Sequence, residues 1–182
     1  VAAASDADAV ISDATFNDGS GVGIVLNGAA NELVIQTSDD NIRFNGATHL
    51  QSDVRIDTDE GAANAGTVGL GNVVFTSGST IDSQDGFVDG TLTTGTERNN
   101  FVLDAGDGRV TFNANIGTTQ RLGTFTIERA QDGLVFGADD TASTGGSGPV
   151  TAISTDGAID FGAGVAAASD ADAVISDATF ND

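Results

Sequence analysis

Closely spaced acidic residues are the side chains in this sequence whose types and spacing suggest chemistry. Asp6 and Asp8 are two residues apart, so on a strand both would lie on one face; the same holds for Asp57 and Asp59. Calcium is bound by six to eight oxygen atoms, which carboxylates and carbonyls supply. The candidate calcium ligands are Asp6, Asp8, Asp57, Asp59, Asp104 and Asp107.

The same residues have a simpler interpretation. Aspartate is common at turns and corners, where its carboxylate accepts hydrogen bonds from the local backbone. The sequence has neither the spacing of an EF-hand loop nor the glycine-rich nonapeptide of calcium-binding β-rolls. The backbone interpretation is therefore preferred for any single aspartate, and calcium is the one cofactor that stays open.

Catalytic chemistry finds little support. His49 is the only histidine, no residue near it in sequence marks a nucleophile, and cysteine is absent. The glycine-rich segment 19–23 precedes Ile24 and lacks the G-x-G-x-x-G pattern of a nucleotide loop. Arginines such as Arg55 and Arg109 alternate with apolar residues and are expected to pair with aspartates on a neighbouring coil. No catalytic residue is predicted, and the chain is not expected to be an enzyme.

Short strands are the elements that must position these groups. Apolar residues recur in pairs two residues apart, as in Ile42 and Phe44 or Val110 and Phe112, which is the pattern of a strand with one buried face. The residues of 101–112 align with those of 125–136 at an offset of 24, including Asp104 with Glu128. Such alignment predicts that like residues stack on like in neighbouring coils.

Composition agrees with an all-β fold. Valine and isoleucine number 27 against 8 leucines, and there are 25 glycines. β-Branched residues favour strands, and glycine favours tight turns. The predicted fold is a right-handed parallel β-helix, or β-solenoid, with the hand taken from the usual rule for parallel crossovers. A series of antiparallel hairpins is the competing interpretation, because Asp-Gly is also a hairpin signal.

A long repeat organises the chain. Residues 165–182 are identical to residues 1–18, which sets a period of 164 residues. Residues 1–164 are therefore interpreted as one solenoid unit, and residues 165–182 as the start of the next identical unit. The sequence contains no methionine, which suggests a segment of a longer tandem array. A covalent array is preferred to end-to-end stacking of separate chains.

Acidic residues followed by glycine divide the unit further. Seven such corners, counting the closely similar Asp40-Asn41, are separated by about 23 residues, within the range of known solenoid repeats. This spacing predicts about seven coils per unit, and an axial rise of about 34 Å at about 4.8 Å per coil. The predicted corner glycines are Gly19, Gly61, Gly86, Gly108, Gly133 and Gly157.

The charge limits the choice of partners. The chain has 27 acidic and 6 basic residues, a net charge of −21, and one unit carries −17 because four of the acids lie in residues 165–182. Nucleic acid and anionic membranes are unlikely partners for such a chain, since both attract clustered lysine and arginine. Its apolar runs are too short to insert in a membrane. Cations are the natural counterparts and could let fibres associate laterally.

Several segments together resemble the repeats of giant filamentous-haemagglutinin-like bacterial adhesins. They are LDAGDGRVTFNANIGTTQRLGTFTI at 103–127, SDVRIDTDEG at 52–61, NIRFNG at 41–46 and STDGAIDFGAG at 154–164. The resemblance covers most of residues 40–164, and it is weaker before residue 40. It implies a β-helical fibre that is secreted or displayed on the cell surface and mediates adhesion or cell-cell contact.

The expected function is structural: a repeat of a long extracellular filament whose coils stack end to end and whose partners are identical repeats. One alternative is a solenoid module that binds a glycan or a surface protein, although the absence of tryptophan and tyrosine weakens it. A second is a β-helical enzyme that processes polysaccharides. It would need a localised carboxylate cluster with basic neighbours.

Overall fold

The computed structural model describes residues 9–10, 23–37, 40–59, 71–76, 78–84, 86–88, 91–93, 96–137, 152–167 and 179–181. All regular structure in these residues is β-strand, and they contain no helix, which confirms the all-β prediction. Nothing in this part of the chain is a helix of the length and hydrophobicity needed to cross a membrane.

Sixteen short strands occur in these ranges. They are β1 Ala9–Val10, β2 Ile24–Leu26, β3 Leu33–Gln36, β4 Ile42–Phe44, β5 Thr48–Leu50, β6 Val54–Asp57, β7 Val73–Phe75, β8 Ile81–Ser83, β9 Gly86–Val88, β10 Thr91–Thr93, β11 Phe101–Asp104, β12 Arg109–Phe112, β13 Phe125–Phe136, β14 Ala152–Ser154, β15 Ile159–Ala167 and β16 Thr179–Asn181.

Most strands belong to three rows of parallel strands in curled sheets. Row A contains β3, β6, β11 and the beginnings of β13 and β15. Row B contains β1, β4, β7, β12 and the ends of β13 and β15. Row C contains β2, β5, β8, β14 and β16, with Ile116 bridging β8 and β14. The chain visits rows A, B and C in that order, and we call one such passage a coil.

One hydrophobic core lies between the three rows. In row B the rings of Phe44, Phe75, Phe112 and Phe136 form a column, with stacked neighbours 4.4, 5.1 and 5.3 Å apart between centroids. Each ring is fully or almost fully buried. The predicted stacking of like on like is therefore confirmed for this column. A coil has too little apolar surface to form a core alone, so its stability depends on its neighbours.

The coils differ in length. Along row A the paired positions are Leu33, Val54, Phe101, Phe125 and Ile159, which gives steps of 21, 47, 24 and 34 residues. The equal step of about 23 residues that underlies the predicted seven coils holds for only two of these four. The longest step contains the antiparallel hairpin of β9 and β10, which pairs with none of the three rows in the described residues.

The predicted corner glycines occupy different positions. Gly108 ends the turn between β11 and β12, and Gly157 lies in the turn between β14 and β15. Gly133 lies within β13 with φ of 120°, a conformation that favours glycine, at the point where that strand passes from row A to row B. Gly86, in contrast, begins β9 of the hairpin. Gly19 and Gly61 lie outside the described residues.

Amide and carboxylate side chains connect successive coils at the corners. The Oδ1 atom of Asn41 accepts the backbone N–H of Asn72 at 2.8 Å, and Asn72 Oδ1 accepts the N–H of Arg109 at 2.8 Å. The same pattern joins Asp53 to Asn100 and Asn100 to Thr124. Each side chain therefore satisfies a backbone donor that has left the strand ladder.

Replacing Phe112 with alanine is expected to lower the free energy of unfolding by about 3–5 kcal/mol, because the change leaves a cavity between Phe75 and Phe136. Urea denaturation followed by circular dichroism measures this change. The matched control is Phe161→Ala, at a ring that is only partly buried at the end of row A, where the loss should be clearly smaller. Equal losses at the two positions would contradict the importance of the internal column.

Candidate functional site

A one-residue bulge in β13 creates the main cluster of charged side chains. Phe101 pairs with Phe125 and Leu103 with Ile127, as the offset of 24 predicts, but Asp104 pairs with Arg129. The predicted alignment of Asp104 with Glu128 is therefore wrong. Glu128 is the extra residue in the strand, and bulges of this kind redirect side chains. The bulge places a guanidinium group beside Asp104.

Two arginines and three carboxylates form what we call the arginine–carboxylate cluster: Arg55, Asp59, Asp104, Glu128 and Arg129. Arg129 contacts Asp104 and Asp59, each with a shortest N–O distance of 2.7 Å. Arg55 forms a two-point interaction with Glu128, at 2.6 and 3.1 Å, and lies 3.8 Å from Asp104. Because its members follow β6, β11 and β13 of row A, the cluster ties together three successive coils.

Two glycines make room for this cluster. Gly106 has φ of 51°, and a Cβ atom built on it would lie 2.6 Å from Cβ and Cγ of Asp59. A Cβ on Gly164 would lie 2.8 Å from Cγ of Arg129. Both distances are shorter than van der Waals contact, so larger residues at these positions would displace the two charged side chains. The packing of the cluster therefore depends on backbone in neighbouring coils.

The cluster shifts the ionisation of its members towards their charged forms. The hydrogen bond from Arg55 lowers the pKa of Glu128, with the charges of Arg55 and Arg129 adding to the effect against the opposing effect of burial. The hydrogen bond with Asp104 is likewise the main cause that raises the pKa of Arg129. Asp104 is only 4% exposed, so its charge depends on these partners.

The local backbone also uses two of the predicted calcium ligands. Asp57 Oδ1 accepts the N–H of Asp59 at 3.1 Å, and Asp104 Oδ1 accepts the N–H of Gly106 at 3.0 Å. Both are aspartate turns that bond the residue two positions on. The backbone interpretation of these aspartates is therefore confirmed for Asp57 and Asp104.

The structure brings together some of the predicted ligands but not all. Asp59 and Asp104 meet, with Arg129 between them, while Asp107 lies in the turn before β12. Asp6 and Asp8 are outside the described residues. Within the ranges that the structure describes, no three histidine, aspartate or glutamate side chains are arranged to hold a metal ion. Calcium binding stays a prediction, and in this cluster arginine supplies positive charge.

Other arginines support the expectation of pairing across coils. Arg109 lies 3.4 Å from Asp132, one coil further along. Asp156 is shared by Arg98 at 2.6 Å and Arg121 at 3.3 Å, and the hydrogen bond from Arg98 is the main cause that lowers its pKa. These pairs are more exposed than Asp104 and are individually weak. Arg43 differs, since its Nε donates to Asn45 Oδ1.

His49 lies in β5 of row C and is opposite Asp82 of β8. The Oδ1 atom of Asp82 accepts the backbone N–H groups of Thr119 and Gln120 at 2.8 and 3.1 Å. This carboxylate is therefore engaged in closing the corner that follows Ile116. The arrangement explains why Asp82 is buried, with 3% of its surface exposed.

An open depression of about 280 Å³ lies between rows C and A near the start of the chain. Its lining includes Glu32, Asp53 and Glu97 together with amide and small side chains, and no aromatic residue. Asp53 is already bonded to Asn100. An aromatic groove, which would favour the glycan-binding alternative, is not found at this place.

The geometry can be set beside known proteins only to a limited extent. No protein-family model matches the chain, and neither curated proteins nor solved structures give a match. What the site does is therefore argued from its own contacts. The cluster brings opposite charges together across three coils of a strongly acidic chain.

Replacing Arg129 with methionine is expected to lower the free energy of unfolding by about 2 kcal/mol, because the buried carboxylate of Asp104 loses its closest charged donor. The matched control is Arg121→Met, where the partner Asp156 is exposed and little change is expected. Urea denaturation of both variants measures the difference. Comparable losses would show that the cluster is no stronger than an exposed pair.

The lowered pKa of Glu128 predicts a pH dependence with a definite sign. A depressed carboxylate pKa stabilises the fold above the pKa of the unfolded chain, about 4.3 for glutamate, and this stability is lost as the pH falls through the folded value. The difference in unfolding free energy between the native chain and Glu128→Gln should therefore be largest above about pH 5. It should shrink towards lower pH. A difference that grows on acidification would contradict the assignment.

Proposed function

We propose that this chain is a repeat of a long extracellular filament, built as a right-handed parallel β-solenoid of five coils per 164-residue unit. The hand follows the usual rule for parallel crossovers. Five coils replace the seven expected from the Asp-Gly spacing, because row A passes through the described residues in four steps rather than six. At about 4.8 Å per coil, one unit would advance the fibre by about 24 Å.

The observation that carries this proposal is that the strand steps and the sequence period fit together. The steps from Leu33 to Ile159 are followed, one period after Leu33, by a step of 38 residues. This length falls between the shortest and longest observed steps, 21 and 47 residues. A following unit can therefore begin its first row-A strand where the next coil is due. The repeat then continues the same stack.

A fibre of this kind would be a dense line of negative charge. The charge of −17 per unit over about 24 Å corresponds to about one net charge per 1.4 Å, similar to duplex DNA at about one per 1.7 Å. Repulsion would keep neighbouring fibres apart at low salt, and cations would allow lateral association. Identical repeats are thus the partners in this proposal, along the fibre by stacking and between fibres through cations, including calcium.

Attachment of cells or bridging between them is the role we propose for the fibre. The resemblance of residues 40–164 to adhesin repeats supports this role and a location at the cell surface. The proposal includes no catalytic step. A glycan-binding or protein-binding solenoid stays the alternative, and a polysaccharide-processing enzyme a minor one.

The experiment compares chains of one, two and three consecutive units by small-angle X-ray scattering and electron microscopy. Each added unit should lengthen the particle by about 24 Å at a constant cross-section. Growth by about 34 Å per unit would favour seven coils, and compact particles would contradict the filament. An antibody against the unit should label intact producing cells. Labelling only after permeabilisation would contradict the surface location.

A further inference from the structure

The core is open at two strands of row A. Four apolar side chains are only partly buried against the core, and they are Leu33 of β3 and Ile159, Phe161 and Val165 of β15. Between these strands, every inward residue of row A from Val54 to Ile127 is fully buried. The two edge strands therefore present the apolar surface that a further coil would cover.

The two ends of the described stack have complementary shapes. Rows B and C start one strand earlier than row A, because β1 precedes β4 and β2 precedes β5. In the described residues, row A has no strand level with β1 and β2. At the other end, β15 is the last strand of row A. One end lacks a row-A strand, and the other ends with one.

We infer that β15 of one unit fills this place and pairs in parallel with β3 of the following unit. Ile159 would lie opposite Leu33, Asp160 opposite Val34, and Phe161 opposite Ile35. The partner is a second copy of this unit, and the inference rests on the proposed filament. It adds the strands that meet at the junction and their register.

Backbone hydrogen bonds in row A support this register. The N–H of each strand's first residue donates to a carbonyl oxygen in the next coil, namely that of the residue just before the paired one. The pairs are Leu33 to Asp53, Val54 to Asn100, Phe101 to Thr124 and Phe125 to Ala158, at 2.8 to 3.1 Å. Continued across the junction, the series assigns Ile159 N–H to the carbonyl oxygen of Glu32 in the following unit.

The junction also changes the register of the repeated 18 residues. At the beginning of the chain Ala9–Val10 occupies row B beside β4, whereas at its end row B is occupied by Val165 and Ala167, which correspond to Val1 and Ala3. One coil has room for only one of these registers. The inference assigns the place to the equivalents of Ala9–Val10, because this preserves the β1–β4 pairing of the following unit.

The experiment uses a chain of two consecutive units, in which residues 1–164 precede residues 1–182. Asp160→Cys in the first unit and Val34→Cys in the second place two cysteines on outward positions that the register makes neighbours. The native sequence has no cysteine, so no other disulfide competes. Paired residues on adjacent strands are about 5 Å apart, within reach of a disulfide. Mild oxidation should therefore cross-link most molecules, as seen by mobility in a denaturing gel.

The matched control pairs Asp160→Cys with Gln36→Cys, which lies on the same face two residues along the strand. Its Cα distance would be about 8 Å, too long for a disulfide without movement of the backbone. Equal cross-linking of both pairs, cross-linking of the control alone, or none in either would overturn the register. If added units still lengthen the particle, the filament proposal survives that result.

Hydrogen exchange on the unaltered two-unit chain tests the inference without any substitution. The Ile159 amide should exchange at least about tenfold more slowly in the first unit than in the second, where no following β3 is present. Equal rates in the two units would overturn the inference.

Discussion

Parallel register between successive coils is the constraint on which the rest of the structure depends. Because side chains alternate between the two faces of a strand, a slip of one residue would turn every inward apolar residue of that strand to solvent. Correct register places Phe75 between Phe44 and Phe112, and it places Asn72 where it can accept the N–H of Arg109. The apolar columns and the polar corner bonds therefore reinforce the same alignment.

The local parts of this architecture could be predicted from the sequence. Pairs such as Val110 and Phe112 identify strands because their spacing matches the alternation of a pleated backbone. The number of coils could not be predicted in the same way. Asp-Gly has the same local meaning at the turn before β12 as at the start of the β9 hairpin, and only the pairing of distant strands separates the two.

The arginine–carboxylate cluster was missed for a related reason. The offset of 24 is correct for Leu103 and for Val110, on either side of the site, but the bulge makes it 25 at Asp104. Flanking residues in register give no local sign of an inserted residue between them. The sequence did indicate that outward arginines would meet acids, and the structure adds that Arg129 serves carboxylates from two other coils.

Charge and packing act in opposite directions along the stack. Most acids lie on the outside of a narrow core, where their mutual repulsion opposes compaction. Asp104 is an exception, since it is buried and contacts Arg129 directly and Arg55 more distantly. Concentrating two of the six arginines here offsets repulsion where three coils meet. The long unpaired acidic surface elsewhere is then compatible with a stable fold.

The parallel pairing of all row strands also gives the stack a direction. The edge at β3 and the edge at β15 differ in sequence and in the row they leave incomplete, so two like ends cannot join by these edges. Units joined through these edges can meet only head to tail, and such a heterologous contact does not close on itself. A fibre made in this way is a vector. If a cell anchors one end, every fibre on that cell presents the same opposite end to its surroundings.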